Sequence, residues 1–345
     1  MNHINNISRR QIIQLIGGLA GGIALHGCTP QNKTTPTKTA TDSTQPPAST
    51  TPLVSGSIPW PGYAGHYVAL KQDLFKQAGV NVQEAYFQST SEEITAFLAG
   101  KLDIAWLTSS DAIQAAQKEP TMRIIYVVDY SDGGDGIIGR GIKTPADLKG
   151  KTVARENVLF ENVLLRAYLA KGGLTEADIK LKDMSASNAA TAFATKQVDA
   201  AVTFEPYLTK SAKQGGGTVI FTSKDSNLIA DVLVTRQKTI STRRADLQAY
   251  IRAVDKAVKL VNSGDPAAIT IVAKKLGVSE AEAKEQLSGV KIFDLAMNKS
   301  IGFNQSNPQN VIKNFEMSLK TGKDMKIVGD TKVADLYDDS IVKSL

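Results

Sequence analysis

Residues 129–140, DYSDGGDGIIGR, place three carboxylates and four glycines within twelve positions, directly after the apolar run RIIYVV. Asp129, Asp132 and Asp135 stand three residues apart in a glycine-rich setting. That pattern suits a turn, or a set of acceptors aimed at one ligand. More carboxylates follow at Glu156 and Glu161, in RENVLFENVLL, and at Glu205, in TFEPYL. Two unit charges 4 Å apart interact by roughly 4 kcal/mol at an effective dielectric of 20. One unneutralised carboxylate in a shared cleft therefore repels an anion and attracts a cation by that order. Trp60, Tyr63 and Trp106 offer aromatic faces, each adding on the order of 0.5–2 kcal/mol to a cation. Ser109 and Ser110 are helix caps that also reach a ligand if the cleft forms there.

Such residues need a scaffold, and the chain supplies a repeated one. TAFLAGKLDIAWLT (residues 95–108) aligns with TAFATKQVDAAVTF (residues 191–204): Thr, Ala and Phe match, then Asp103 with Asp199, then Ala105 with Ala201. Thr90 and Glu93 form a Thr-x-x-Glu capping box for the first helix, Ile94, Phe97 and Leu98 share one face, and Gly100 stops it. Each copy then reads as helix, strand and polar turn. Ligands of α/β sheets gather outside such strand ends. TPADLKGKTVAREN adds a short helix and strand, and RRADLQAYIRAVDKAVKLVNS has apolar residues at helical spacing.

Composition narrows the classes. The 345 residues suffice for two lobes. The net charge is +6, but the basic residues are dispersed, with no basic run interleaved with aromatics, so nucleic acid is excluded as a partner. The single cysteine, Cys28, excludes an internal disulfide and a cysteine-based zinc cluster, and three scattered histidines argue against a metal site. No cofactor is expected. No Ser/His/Asp nucleophilic set stands out, and GGDGIIG lacks the strand–turn–helix placing of a dinucleotide loop.

The chain begins with SRRQIIQLIGGLAGGIALHGC: paired arginines, a short apolar run and small residues, the order of an export signal. Arg9 and Arg10 resemble a twin-arginine signal, and LHGC resembles a lipobox, with Cys28 as the site of lipid attachment. The Thr/Pro/Ser-rich stretch that follows cannot bury enough surface to offset chain entropy and reads as a disordered tether. The expected organisation is signal 1–28, tether 29–53 and then a two-lobed body, for which the resemblance described next implies lobe 1 from 54–130 plus 230–345 and lobe 2 from 131–229.

IPWPGYAGHYVALKQDLFKQAGVNV, FLAGKLDIAWLTSSDAI, DLKGKTVA, QVDAAVTFEPYL and IADVLVTR, in this order, resemble the periplasmic substrate-binding proteins of the nitrate, taurine and alkanesulfonate importer family. The resemblance implies a two-lobed α/β periplasmic-binding-protein fold of type II. It implies two crossover segments near 129–136 and 223–231, and C-terminal helices packed on lobe 1. It also implies a monomer that binds a small molecule, is tethered to the membrane by its lipid, and is met by a permease and its ATPase. In such relatives the strand after LKGKTVA often leads to a Gly/Ser-rich turn; here Glu156 and Glu161 stand there. The ligand expected from the charge is a small planar cation such as guanidinium, held by Trp60, Tyr63, Trp106, Ser109, Asp129, Asp135, Glu161 and Glu205. Three alternatives stay open: a small oxyanion served by Arg140 or Arg155, an enzyme resembling thiamine-pyrimidine synthases, and a signalling receptor on the same scaffold. Against the enzyme, this chain lacks a cysteine-rich motif, and a lone His66 on an early helix reads as packed.

Overall fold

The structure is a computed structural model that describes residues 50–224 and 229–345. The export signal, Cys28 and the tether up to residue 49 lie outside the described residues. Residues 51–53, expected in the tether, are held against the folded body. Leu53 is fully buried as the first residue of strand β1, and the carbonyls of Thr51 and Pro52 accept from the Arg243 guanidinium at 2.7 and 3.1 Å.

Eleven strands form two sheets among the described residues. They are β1 (Leu53–Ser57), β2 (Val82–Tyr86), β3 (Ile104–Thr108), β4 (Met122–Ser131), β5 (Asp135–Gly139), β6 (Thr152–Arg155), β7 (Lys180–Asp183), β8 (Ala200–Phe204), β9 (Thr218–Thr222), β10 (Ala230–Arg236) and β11 (Val290–Ile292). The first sheet runs β11-β4-β10-β3-β1-β2 and the second β7-β6-β8-β5-β9. In each, a parallel set (β1 with β2 and β3; β6 with β7 and β8) is continued by antiparallel strands (β10 and β4; β5 and β9). The chain passes between sheets from β4 to β5 and from β9 back to β10, giving the two crossovers the fold requires.

The two crossovers are bonded to each other. Ser131 and Ser223 share a hydroxyl hydrogen bond of 2.7 Å, Gly133 N–H donates to Ser223 Oγ at 3.0 Å, and Ser223 N–H donates to the Asp135 carbonyl at 2.9 Å. The C-terminal helices pack on the first sheet's side, as expected. Helix Arg244–Asn262 buries Leu247, Tyr250, Ile251, Val254, Val258 and Val261, the spacing of one helical face, against helix Ala64–Lys71. Helix Val311–Asp324 covers helix Ser109–Ala116.

The sequence repeat is a structural repeat. Helix Thr90–Leu98 with β3 corresponds to helix Ala186–Ala194 with β8, and Ser89 and Ser185 cap the two helices. Glu93 is not the capping residue the sequence suggested; it is buried, and its Oε1 accepts from Trp106 N–H at 2.8 Å. Asp103 accepts from Val54 N–H at 2.9 Å, and Asp199 from Thr152 N–H at 2.8 Å, so each aspartate ties its unit to the neighbouring strand. Gly100 and its counterpart Lys196 both turn the chain through positive φ, at 73° and 64°. Arg236 donates to the Phe97 and Leu102 carbonyls and lies 4.3 Å over the Phe97 ring. Arg140 does the same with Phe193 and Val198, 4.6 Å over the ring.

Arg140 is thus a clamp at the end of β8 far from its C-terminus. Arg140→Ala and Asp199→Ala should each lower stability by about 1–3 kcal/mol through lost part-buried, charge-assisted hydrogen bonds. Urea melts should show that loss while ligand preference stays unchanged.

Candidate functional site

The C-terminal ends of β1, β3, β6 and β8 face one another, and the two crossovers close the gap. Between them lies a cavity lined by Ile58, Trp60, Tyr63, Thr90, Thr108, Asp135, Phe160, Phe204 and Asp231. Its volume is about 20 Å³, room for roughly one water-sized group. A larger ligand has to part the walls. A wider surface hollow of about 690 Å³ lies beside Lys71, Lys275 and Tyr86 at the end of β2, but it is lined by none of the residues that end β1, β3, β6 or β8. None of the described residues lining the central cavity is basic.

Trp60 follows β1 and spans the gap. Its ring meets Phe204 of the second sheet edge-on, with centroids 6.0 Å apart. Its indole N–H donates to Asp129 Oδ2 at 3.1 Å. This close approach requires Gly62, where a Cβ would come within 1.9 Å of Asp129 Oδ2. Tyr63 O–H donates to the Trp106 carbonyl at 2.8 Å and stands 3.5 Å from Asp231 Oδ1. Asp129 and Asp231 are paired in register on β4 and β10.

These acids have been taken out of water without a basic partner. Burial pushes the Asp129 carboxyl up to about 7, against the Trp60 and Asp231 hydrogen bonds that pull it down. Burial, then the Asp129 charge, raises Asp231 well above the carboxylate range. Burial and mutual repulsion thus both favour the protonated forms of the pair. Burial likewise raises Asp135 and Glu161, lifts Asp111 to about 7 and lifts Glu93 to about 8. Asp129 Oδ1, Asp135 Oδ2 and Glu161 Oε1 find no hydrogen-bond partner among the described residues.

Of the residues the sequence singled out, Trp60, Tyr63 and Asp135 line the cavity. Asp129 stands behind them, holding the indole. Glu161 is buried close by, with Oε2 accepting from Glu156 N–H at 2.7 Å. Trp106 is a correction: it is 1% exposed, and its indole N–H is directed at Ser55 Oγ and Tyr250 Oη, 3.2 and 3.1 Å away in the first sheet's core. Ser109 is another, since its hydroxyl goes to Asn314 of the C-terminal helix. Glu205 is a third, folded back onto the hydroxyl of Thr209. His66 is packed, with Nδ1 2.9 Å from Tyr250 Oη. Asp231, Phe160 and Phe204 were missed. Asp231 was legible in principle, as the one acid in IADVLVTR at the second crossover.

Neither arginine that could have favoured an anion lines the cavity. Arg140 is the distant clamp already described, and Arg155 pairs with Asp183 at 3.4 Å. Among the described residues, no group of three or more His, Cys, Asp or Glu side chains is arranged to hold a metal, and no helix is long and apolar enough to cross a membrane.

Two sheets, two bonded crossovers and a cavity at facing strand ends define the two-lobed class of periplasmic binding proteins. Within it, the chain belongs to the NMT1-like family, whose model matches residues 46–277. It is 24% identical over 229 residues to a putative binding protein of Brucella abortus, covering 65% of this chain and 71% of that relative. Its fold is similar to that of the alkanesulfonate-binding protein SsuA from Xanthomonas axonopodis pv. citri bound to MOPS, at a TM-score of 0.71 and 18% identity, covering 85% of this chain and 99% of the other. The desulfurization enzyme DSZB shares the fold at a TM-score of 0.62 and 13% identity, covering 85% of this chain and 97% of the other.

The raised carboxyls set a pH dependence. From about pH 4, the unfolded carboxyl value, up through about 7 for Asp111 and Asp129 and about 8 for Glu93, the folded chain keeps protons that the unfolded chain has released. Stability therefore falls as pH rises across that window. His66, pushed down to about 4 by burial, opposes this with one proton below about pH 6.5. Ligand-free protein should melt highest near pH 5 and lose roughly 5 °C or more by pH 8 in a thermal denaturation series.

Proposed function

We propose that the chain is the extracytoplasmic solute-binding component of an importer and holds a small, planar, positively charged nitrogen compound, guanidinium-like, between its lobes. The observation that carries this is the cavity wall: Trp60, Tyr63, Phe160 and Phe204 together with Asp135 and Asp231, and no basic side chain. Flat ring faces suit a delocalised cation, and carboxylate edges suit its N–H donors. Asp129 and Glu161 lie behind that wall and deepen the negative potential once ionised. Lobe 1 comprises 54–130 plus 230–345, and lobe 2 comprises 131–229. Export and lipid attachment at Cys28 place the body outside the cytoplasmic membrane, where a permease and its ATPase meet the closed form. The protein binds as a monomer and releases its ligand chemically unchanged.

A second ligand class, a small oxyanion, is favoured by kinship in fold with an alkanesulfonate-binding protein. Carboxyls that stay protonated near neutrality could donate to such an anion. The two part on the sign of their pH dependence. A cation binds more tightly as the acids ionise, gaining up to about tenfold per pH unit for each proton released on binding; an oxyanion binds more weakly.

Isothermal titration of purified protein with guanidinium, nitrate and taurine at about pH 6 and pH 8 tests this. Guanidinium should bind, and more tightly at the higher pH. Asp135→Asn and Asp231→Asn should each weaken it by about 10- to 100-fold, the cost of one charged hydrogen bond. Tight nitrate or taurine binding with none of guanidinium overturns the cation assignment. Product formation from any of the three would make the protein an enzyme.

A further inference from the structure

Glu156, the residue after β6, is 2% exposed and joins the two sheets' helices through one carboxylate. Its Oε1 accepts from Ser91 N–H at 2.8 Å and from Ser91 Oγ at 2.5 Å. Its Oε2 accepts from Ala186 N–H at 3.3 Å. Ser91 and Ala186 lie in the first turns of the two repeat-related helices, Thr90–Leu98 and Ala186–Ala194, one beside each sheet. The first N–H groups of a helix have no partner within it and lie at the positive end of its dipole. Two such ends converging on one point form a seat for a small oxyanion. In this chain a carboxylate of the protein already fills that seat.

Asp111 does the same nearby. It sits in the first turn of helix Ser109–Ala116, beside the first sheet, and its Oδ1 accepts from Leu159 N–H at 2.7 Å, at the start of helix Leu159–Lys171 beside the second. Three helix starts at the meeting of the sheets are therefore met by the chain's own acids, and an incoming oxyanion finds those donors taken.

We infer that Glu156 is a specificity-determining residue: a built-in occupant of the cleft's oxyanion seat that bars small oxyanions and ties the lobes together. This deepens the cation assignment and rests on the same cleft, but it depends on Glu156 rather than on Asp135 and Asp231. Emptying the seat with Glu156→Ala leaves the N–H donors of Ser91 and Ala186 free. Glu156→Gln removes the charge, keeps the size and turns one acceptor into a donor.

Wild type, Glu156→Ala and Glu156→Gln are titrated with nitrate, methanesulfonate and guanidinium, with circular dichroism melts to establish that each variant is folded. Folded Glu156→Ala should bind at least one of the two oxyanions about tenfold or more tighter than wild type, a change of about 1.4 kcal/mol, with Glu156→Gln between them. Small-angle scattering without ligand should show a larger radius of gyration for both variants, because the tie between the lobes is cut. If Glu156→Ala does not fold, Glu156→Gln decides by the same two measurements. Folded variants that bind oxyanions no better than wild type overturn the inference, as does wild type that binds an oxyanion tightly with Glu156 in place. Gain of oxyanion binding by Glu156→Ala, with no guanidinium binding by wild type, sustains the role of Glu156 and removes the cation assignment alone.

Discussion

Asp129 and Asp231 stand side by side on β4 and β10, with the Trp60 indole bonded to one and the Tyr63 hydroxyl near the other. Both carboxyls are buried, and among the described residues no lysine or arginine lines the cavity that Asp231 borders. Removing a carboxylate from water costs several kcal/mol unless it is paired or takes up a proton. Burial accordingly raises all three carboxyls, which favours their protonated forms in the ligand-free protein. Natural chains keep such unrelieved acids where a ligand relieves them. The aromatic walls, the missing basic side chains and the tightness of the cavity gain their meaning from this one constraint.

The acids lie where they do because the molecule is built twice. Each half presents a helix, a turn through positive φ, an aspartate bonded back to the first strand, and a strand whose far end opens on the gap. Arg236 and Arg140 lock the two copies with the same carbonyls and the same ring. The helix starts of the two copies then come together near the cleft, and Glu156 stands between them. One carboxylate facing two positive helix ends follows from that duplication.

Much of this was legible from the residues. The repeat follows from spacing and the two crossovers from the family resemblance; Trp60 was singled out because prolines and a glycine mark its loop, and Asp135 because it stands among clustered carboxylates at the first crossover. Trp106 was misplaced for a physical reason. β3 lies between β10 and β1 with both faces covered, so every residue in it is buried and alternation says nothing about which face meets the cleft. Glu93 matched a capping box by type and spacing, yet a serine one position earlier than Thr90 took the cap, leaving Glu93 to reach Trp106 N–H. Asp231 stood out locally as the one acid of IADVLVTR, but its place beside Asp129 comes from strand register between distant segments, which local patterning does not carry. Glu156 was noticed only as a departure from relatives; its two helix partners are 65 and 30 residues away in sequence.

The hydroxyl contact between Ser131 and Ser223 has a mechanical consequence. Two independent strips of chain would let one lobe both swing and twist against the other. Fastened to each other, they behave as a single axle, and torsion about the long axis is suppressed while opening and shutting is kept. Asp135, whose carbonyl accepts from Ser223, sits at that axle, where a small displacement at the pivot becomes a wide sweep at the rim.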